Sequence, residues 1–242
     1  MTDTYKIAGK VIEICSVYEK VHSYCREYRY DGAPDFAVKI SQEDIDYERE
    51  RDERTAKITG RSNSDPSDEY LEELAVYRKI AEKMLDHDTL LFHGSCVAVD
   101  GEGYIFAASS GTGKSTHTRL WREYLGERAV MVNDDKPLIR VDKLGATVFG
   151  TPYNSKHRLG SDIAVPLKAL CVLTRSEKNH IEPVTRKEIY AALVQQTYRP
   201  ADSIKMMKTM SLIDALADNV KLYRLGCNMD IEAAKVVYEG MK

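Results

Sequence analysis

The sequence predicts an α/β fold preceded by a smaller α+β region, and three observations predict it. After residue 90, short apolar β-like runs alternate with helical stretches, the pattern of a sheet covered by helices. A glycine-rich stretch, AASSGTGKST, sits between an apolar run and a helical pattern. Before residue 67 the runs are short and punctuated by turn residues.

Residues 5–41 alternate the runs KIAGKVIEICSVY and DFAVKIS with turns at Gly9 and DGAPD, which reads as a small, mostly-β unit. The charge run QEDIDYERERDER is expected to be a solvated helix or edge. TGRSNSDPSDE is polar and breaker-rich, so it is expected as a loop. It places the boundary near residue 67, between a 1–67 N-terminal region and a 68–242 domain. Ser67 can cap a helix whose apolar stripe runs through Leu71, Leu74, Ala75, Tyr77, Ile80, Ala81 and Leu85.

Further on, LLFHGSCVAVDGEGYIFAA offers two apolar runs hinged at Asp-Gly, a two-strand signature. Leu120, Trp121 and Tyr124 recur at helical spacing before a stopping Gly126. Val130, Met131 and Val132 are expected as a buried strand leading to Asn133-Asp134-Asp135, with PLIRVD as the next. ATVFGTPY, LKALCVLTRS and NVKLYRLGCNM read as strands, and TRKEIYAALVQQTY, ADSIKMMKTMSLIDALADN and DIEAAKVVYEGM as helices.

The 242 residues can bury a full core. A net charge of −3 argues against a nucleic-acid partner. No apolar stretch approaches the ~20 residues of a membrane span and no signal-peptide pattern opens the chain, so the expected location is cytoplasmic, without a membrane partner. Five cysteines, at 15, 25, 96, 171 and 227, are odd in number and form no Cys-x-x-Cys pair. Reduced core thiols are expected.

The glycine stretch matches the phosphate-binding pattern G-x-x-x-x-G-K-[ST], with Ala108 in place of the first Gly, then Gly113, Lys114 and Ser115. Its flanks, a strand before and a helix after, are what such a loop needs, because loop N–H groups and the helix N-terminus together make the anion site. Asp134 and Asp135 are expected at the carboxyl end of a strand, where α/β sheets place ligands. One carboxylate can serve a Mg²⁺ ion beside Ser115 and the other accept a proton from an attacking hydroxyl. In NSKHRLG, residues 154–160, Lys156, His157 and Arg158 form a basic loop suited either to clamping a phosphoryl group or to plain solvation.

Taken in order, HGSCVAVDGEGYIFAASSGTGKST and VMVNDDKPLI resemble the catalytic core of bacterial HPr kinase/phosphorylase. They resemble still more the shorter HPr-kinase-like proteins, and the nucleotide-binding core is shared with ATP-dependent phosphoenolpyruvate carboxykinase. The resemblance spans roughly residues 90–176. It implies a P-loop core with a mixed sheet, ATP and Mg²⁺ as cofactors, and nucleotide contacts from Ser110, Gly111, Thr112, Gly113, Lys114, Ser115 and Thr116. It further implies metal binding by Ser115 and Asp135, proton acceptance within the Asp134–Asp135 pair with Asp134 the favoured base, and a place for His93 near the phosphates. Arg158 joins these as a candidate on the acceptor side. Thr116-His117 stands where HPr kinases continue with an acidic residue, and FGTPYNSKHRLGSD replaces their Gly- and Arg-rich signature, so HPr and the reverse reaction are not carried over.

The function expected is γ-phosphate transfer from ATP to a hydroxyl of a protein, peptide or small molecule, with a homo-oligomer left open. The alternatives are an ATP-binding regulatory module without transfer and carboxykinase-like chemistry.

Overall fold

The computed structural model describes residues 1–60, 65–155 and 158–242. The chain divides into two compact units, Met1–Lys83 and Met84–Lys242. This division falls later in the chain than the boundary near residue 67 expected from composition, and most of the helix beginning at Asp68 belongs to the first unit, while residues 61–64 of the expected loop lie outside the described residues.

In the first unit, β1 (Thr2–Ile7) and β2 (Lys10–Cys15) form an antiparallel hairpin. Its two-residue turn, Ala8 and Gly9, has φ of 50° and 77°, the left-handed geometry that matches strand twist. After the short helix α1 (Lys20–Cys25), β3 (Phe36–Lys39) returns parallel to β2, giving the sheet order β1-β2-β3. The charge run forms α2 (Gln42–Thr59), started by a Ser41/Asp44 capping box and ended by Gly60 at φ 66°. It is not wholly solvated. Ile45 and Glu48 are buried, and Glu48 is held by Arg78 Nε at 2.6 Å, from α3 (Asp68–Met84).

The second unit is a mixed nine-stranded sheet with helices on both faces. Its strands are β4 (Thr89–Leu91), β5 (Ser95–Val99), β6 (Glu102–Ala107), β7 (Ala129–Asn133), β8 (Leu138–Asp142) and β9 (Gly145–Phe149). To these are added β10 (Ala164–Arg175), β11 (His180–Pro183) and β12 (Lys221–Cys227). The order is β4-β8-β9-β10-β6-β5-β7, with β12 also paired to β10 and β11 to β12. The long β10 makes this branching possible: its first residues pair antiparallel with β9, and its later ones run parallel to β6 and β12.

Side chains alternate across this sheet. On β6, Tyr104 and Phe106 enter the core beneath α4 (Lys114–Leu125) and α7 (Glu232–Met241), while Ile105 and Ala107 enter the core beneath α5 (Arg186–Gln196) and α6 (Ser203–Asn219). That near-continuous apolar character is what a sheet covered on both faces requires. Val130, expected in the core, is instead 43% exposed: β7 ends the sheet order, and Val130 shares the face of buried Val132, opposite Ala129 and Met131, near the start of this edge strand.

Because β5 is antiparallel to both β6 and β7, the carboxyl ends of β6 and β7 point the same way, along with those of β10 and β12. This end of the sheet gathers the loops that carry polar chemistry.

Candidate active site

β6 ends at Ala107, and α4 begins at Lys114, so residues 108–113 form the loop between strand and helix. Gly111 and Gly113 have φ of 76° and 125°, values that a side chain resists, which is why the loop needs glycine at both. A Cβ added at either would meet nothing within 4 Å, so the loop opens outward. The N-cap of α4 is Gly113, with no side-chain cap and no acidic residue in the first turn. The first N–H groups of the helix therefore lack the usual answer, and the positive end of its dipole is free for an anion.

Two cations brace this loop. Lys114 Nζ donates to Ala108 O at 2.9 Å, and Arg175, at the carboxyl end of β10, donates to Gly111 O at 2.6 Å. Burial lowers the pKa of Lys114, opposed by the negative charge of Asp135. Ser110, Gly111 and Ser115 are exposed, and Thr112 and Thr116 are half-buried along the same loop and first turn.

β7 ends at Asn133, which is fully buried and acts as the local scaffold. Its Oδ1 accepts from the N–H groups of Asp135 at 2.9 Å and Lys136 at 2.6 Å, while its Nδ2 donates to Thr151 Oγ1 at 3.0 Å and to Thr151 O at 3.2 Å. This turn sends the two aspartates to different partners. Asp134, only 4% exposed, accepts from Ser155 N at 2.7 Å and from Ser155 Oγ. Asp135 lies with its Oδ1 3.4 Å from His93 Nε2 and its Oδ2 3.3 Å from Lys136 Nζ.

His93 precedes β5, and the Gly94 N–H donates to Asp135 O at 2.9 Å, which ties the two strand ends together. Burial lowers the His93 pKa, the Lys114 charge lowers it further, and Asp135 acts against both. Lys114, His93 and Asp135 are thus within electrostatic reach of one another. Asp134 is instead part of the Ser155 loop.

Arg158 is on that loop, exposed, with φ 49° and its N–H donating to Ser155 O at 2.9 Å. Lys156 and His157 lie outside the described residues. Among the described residues, no group of three or more His, Cys, Asp or Glu side chains is placed to hold a metal ion. No helix among them is long and apolar enough to cross a membrane. All five cysteines are free thiols.

Two cavities flank the glycine loop, and Thr112 and Arg175 belong to the walls of both. One, of about 400 Å³, is bounded by Ser109 and by Gln195 and Gln196 of α5. The other, of about 620 Å³, is bounded by Thr116 and His117 of α4 and by Cys227 and Met229 after β12. Arg175, Ser155 and the scaffolding role of Asn133 are not singled out by motif. Arg175 could have been found from its place at the end of LKALCVLTR, since ligands gather at the carboxyl ends of strands in such sheets. Ser155 has no such signal.

No curated protein matches this sequence. Among solved structures, the chain matches the HPr(Ser) kinase/phosphatase from Coxiella burnetii at 8% identity, over 62% of this chain and 95% of that one, with a TM-score of 0.33. A superposition that loose carries no weight for fold or activity. The family model of the SynChlorMet cassette protein ScmC matches residues 62–238, so the chain belongs to the ScmC family.

Proposed function

We propose that this chain is an ATP-dependent phosphotransferase that moves the γ-phosphate to a hydroxyl. The observation that carries the proposal is the meeting of Lys114, His93 and Asp135 beside an outward-opening glycine loop and an uncapped helix N-terminus. A loop that offers N–H donors and a lysine, with no acid in the first helical turn, suits a polyanion. When a triphosphate enters, Lys114 would leave Ala108 O for a phosphate oxygen, and the loop N–H groups would hold the remainder. Ser115 would hold Mg²⁺ together with phosphate oxygens, and that ion supplies charge neutralisation across the transferring group.

In the step proposed, the acceptor oxygen forms a bond to Pγ while the bond from Pγ to its bridging oxygen breaks. The hydroxyl proton passes to a carboxylate, and ADP leaves. Asp135 is the better acceptor of the pair. Both oxygens of Asp134 already accept from Ser155, which holds that carboxylate on the Ser155 side, whereas Asp135 lies within electrostatic reach of Lys114 and His93. This reverses the roles expected from resemblance, in which Asp134 is the base and Asp135 the metal ligand. Asp134 becomes the residue that holds Ser155, and Arg158, whose N–H donates to Ser155 O, remains the proposed acceptor-side cation.

The test is transfer of labelled γ-phosphate from ATP to a panel of hydroxyl-bearing proteins, peptides and small molecules. Label transferred to an acceptor, and lost with Lys114→Ala, supports the proposal. ATP binding without label transfer to any acceptor or to water favours a regulatory module.

A further inference from the structure

Strand β10 runs parallel to β6, and their last paired residues are Val172 and Ala107. There β6 stops and the glycine loop begins, while β10 continues to Arg175. The overhang sets Arg175 alongside the loop, where its Nη2 donates to Gly111 O at 2.6 Å. Other exposed arginines of this unit end on carboxylates: Arg119 on Glu123, Arg128 on Asp100 and Arg186 on Asp218. Among the described residues Arg175 has no carboxylate partner, and its charge rests on a neutral carbonyl. A phosphate is the stronger partner for a guanidinium, because it brings full negative charge and accepts parallel N–H bonds.

Arg175 also stands at a junction. Of the residues around the two cavities beside the loop, Thr112 and Arg175 alone form part of both walls. The wall of the 400 Å³ cavity also contains Ala108 and Gln196. Lys114 Nζ donates to the carbonyl of the first, and the His93 N–H donates to the carbonyl of the second at 2.6 Å. Lys114 and His93 are thus each bonded to the wall that Arg175 completes. Phosphoryl transfer brings two ligands to one loop, and the group in transit lies where they meet. Of the two residues shared by both cavities, Arg175 is the cation.

We infer that Arg175 is a further catalytic residue, a cation supplied from β10 that leaves Gly111 O and binds the phosphoryl group in transit. The inference rests on the phosphotransfer reading of this site. As the acceptor oxygen bonds to Pγ, the bond from Pγ to the bridging oxygen of ADP breaks and the hydroxyl proton passes to Asp135. Charge spreads over the equatorial oxygens of the phosphoryl group, and the planar fork of Arg175 meets a pair of them. Lys114 holds the phosphates before the step, whereas Arg175 binds hardest during it.

The experiment measures, by calorimetry, the binding of ATP, of ADP, and of ADP with aluminium fluoride, all with Mg²⁺. Aluminium fluoride beside ADP stands in for the phosphoryl group in transit. The parent should bind ADP with aluminium fluoride about tenfold or more tighter than ADP alone. Arg175→Ala should lose most of that gain while binding ADP within about threefold of the parent. Arg175→Lys, which keeps the charge without the fork, should recover part of the gain. An Arg175→Ala variant that keeps the gain overturns the inference. So does one whose affinity for ADP alone falls as far as its affinity for ADP with aluminium fluoride, since Arg175 is then only a brace of the loop. A parent that binds ATP and ADP yet gains nothing from aluminium fluoride overturns it as well and leaves the phosphate site standing. If neither nucleotide binds the parent, the phosphotransfer reading falls and this inference with it. Arg175 is exposed and lies outside both apolar cores, so its variants should keep the parental thermal midpoint. The response of the parent to aluminium fluoride is read without any variant.

Discussion

Lys114 spends its ammonium on the carbonyl of Ala108, a partner that a phosphate oxygen would outbid with a full negative charge. Removing it should therefore affect the ligand and spare the fold. Lys114→Ala is expected to weaken ATP·Mg²⁺ binding by about tenfold or more with an unchanged thermal midpoint, as measured by calorimetry and thermal denaturation. The same lysine sets the charge state of its neighbour. Burial and Lys114 lower the His93 pKa and Asp135 acts against them, so His93 holds a proton less readily than a free histidine. In an NMR titration, Lys114→Ala should move the His93 midpoint up toward 6.5, and Asp135→Asn should move it down. Shifts of the reverse sign would show that the three groups do not share one electrostatic site.

Among the elements, α4 carries Lys114, Ser115 and Thr116 in its first turn, and its buried His117 gives it a pH signature. The folded state holds His117 neutral with a pKa near 4, against 6.5 in a free chain, so the unfolded state binds the extra proton. Stability is therefore undiminished above about pH 6.5 and falls as pH drops from there toward 4, by about 3 kcal/mol for a shift of this size. Denaturant melts across that range should show a smaller acid loss for His117→Gln than for the parent. An equal loss in both would place the acid sensitivity elsewhere.

The elements most legible in the sequence are those fixed by local chemistry. The β5–β6 hairpin turns at Asp100-Gly101, both with positive φ, as Asp-Gly between apolar runs predicts. α5 starts at a Thr185/Glu188 capping box, and α6 at Asp202, which accepts from Lys205 N. β11 escapes notice because it is short, mostly exposed and ends in Pro183, and it exists only by pairing with β12. β4 is likewise read as one run with β5, while in the structure it pairs with β8, on the far side of His93 and Gly94. Both are set by long-range partners that no local window contains. The site divides in the same way. Loop, lysine and acid pair can be read locally, but which acid faces the lysine is decided by Ser155, which reaches back across 21 residues to Asp134.

At the scale of the molecule, the second unit carries every described residue of the proposed site, assembled at one end of a branched mixed sheet. The branching at β10 brings Arg175 to the glycine loop at the same end where β7 delivers the aspartates. The central claim is that these groups form a phosphoryl-transfer site in which Asp135, and not Asp134, takes the proton. The most direct test is single-turnover transfer of labelled γ-phosphate by the parent, Asp134→Asn and Asp135→Asn, with ATP·Mg²⁺ affinity measured on each. Asp135→Asn should bind ATP within a few-fold of the parent yet lose transfer by ~10² or more, the range of a lost general base. Asp134→Asn keeps an oxygen for Ser155 N and should lose much less. Parental transfer by both variants would contradict the account.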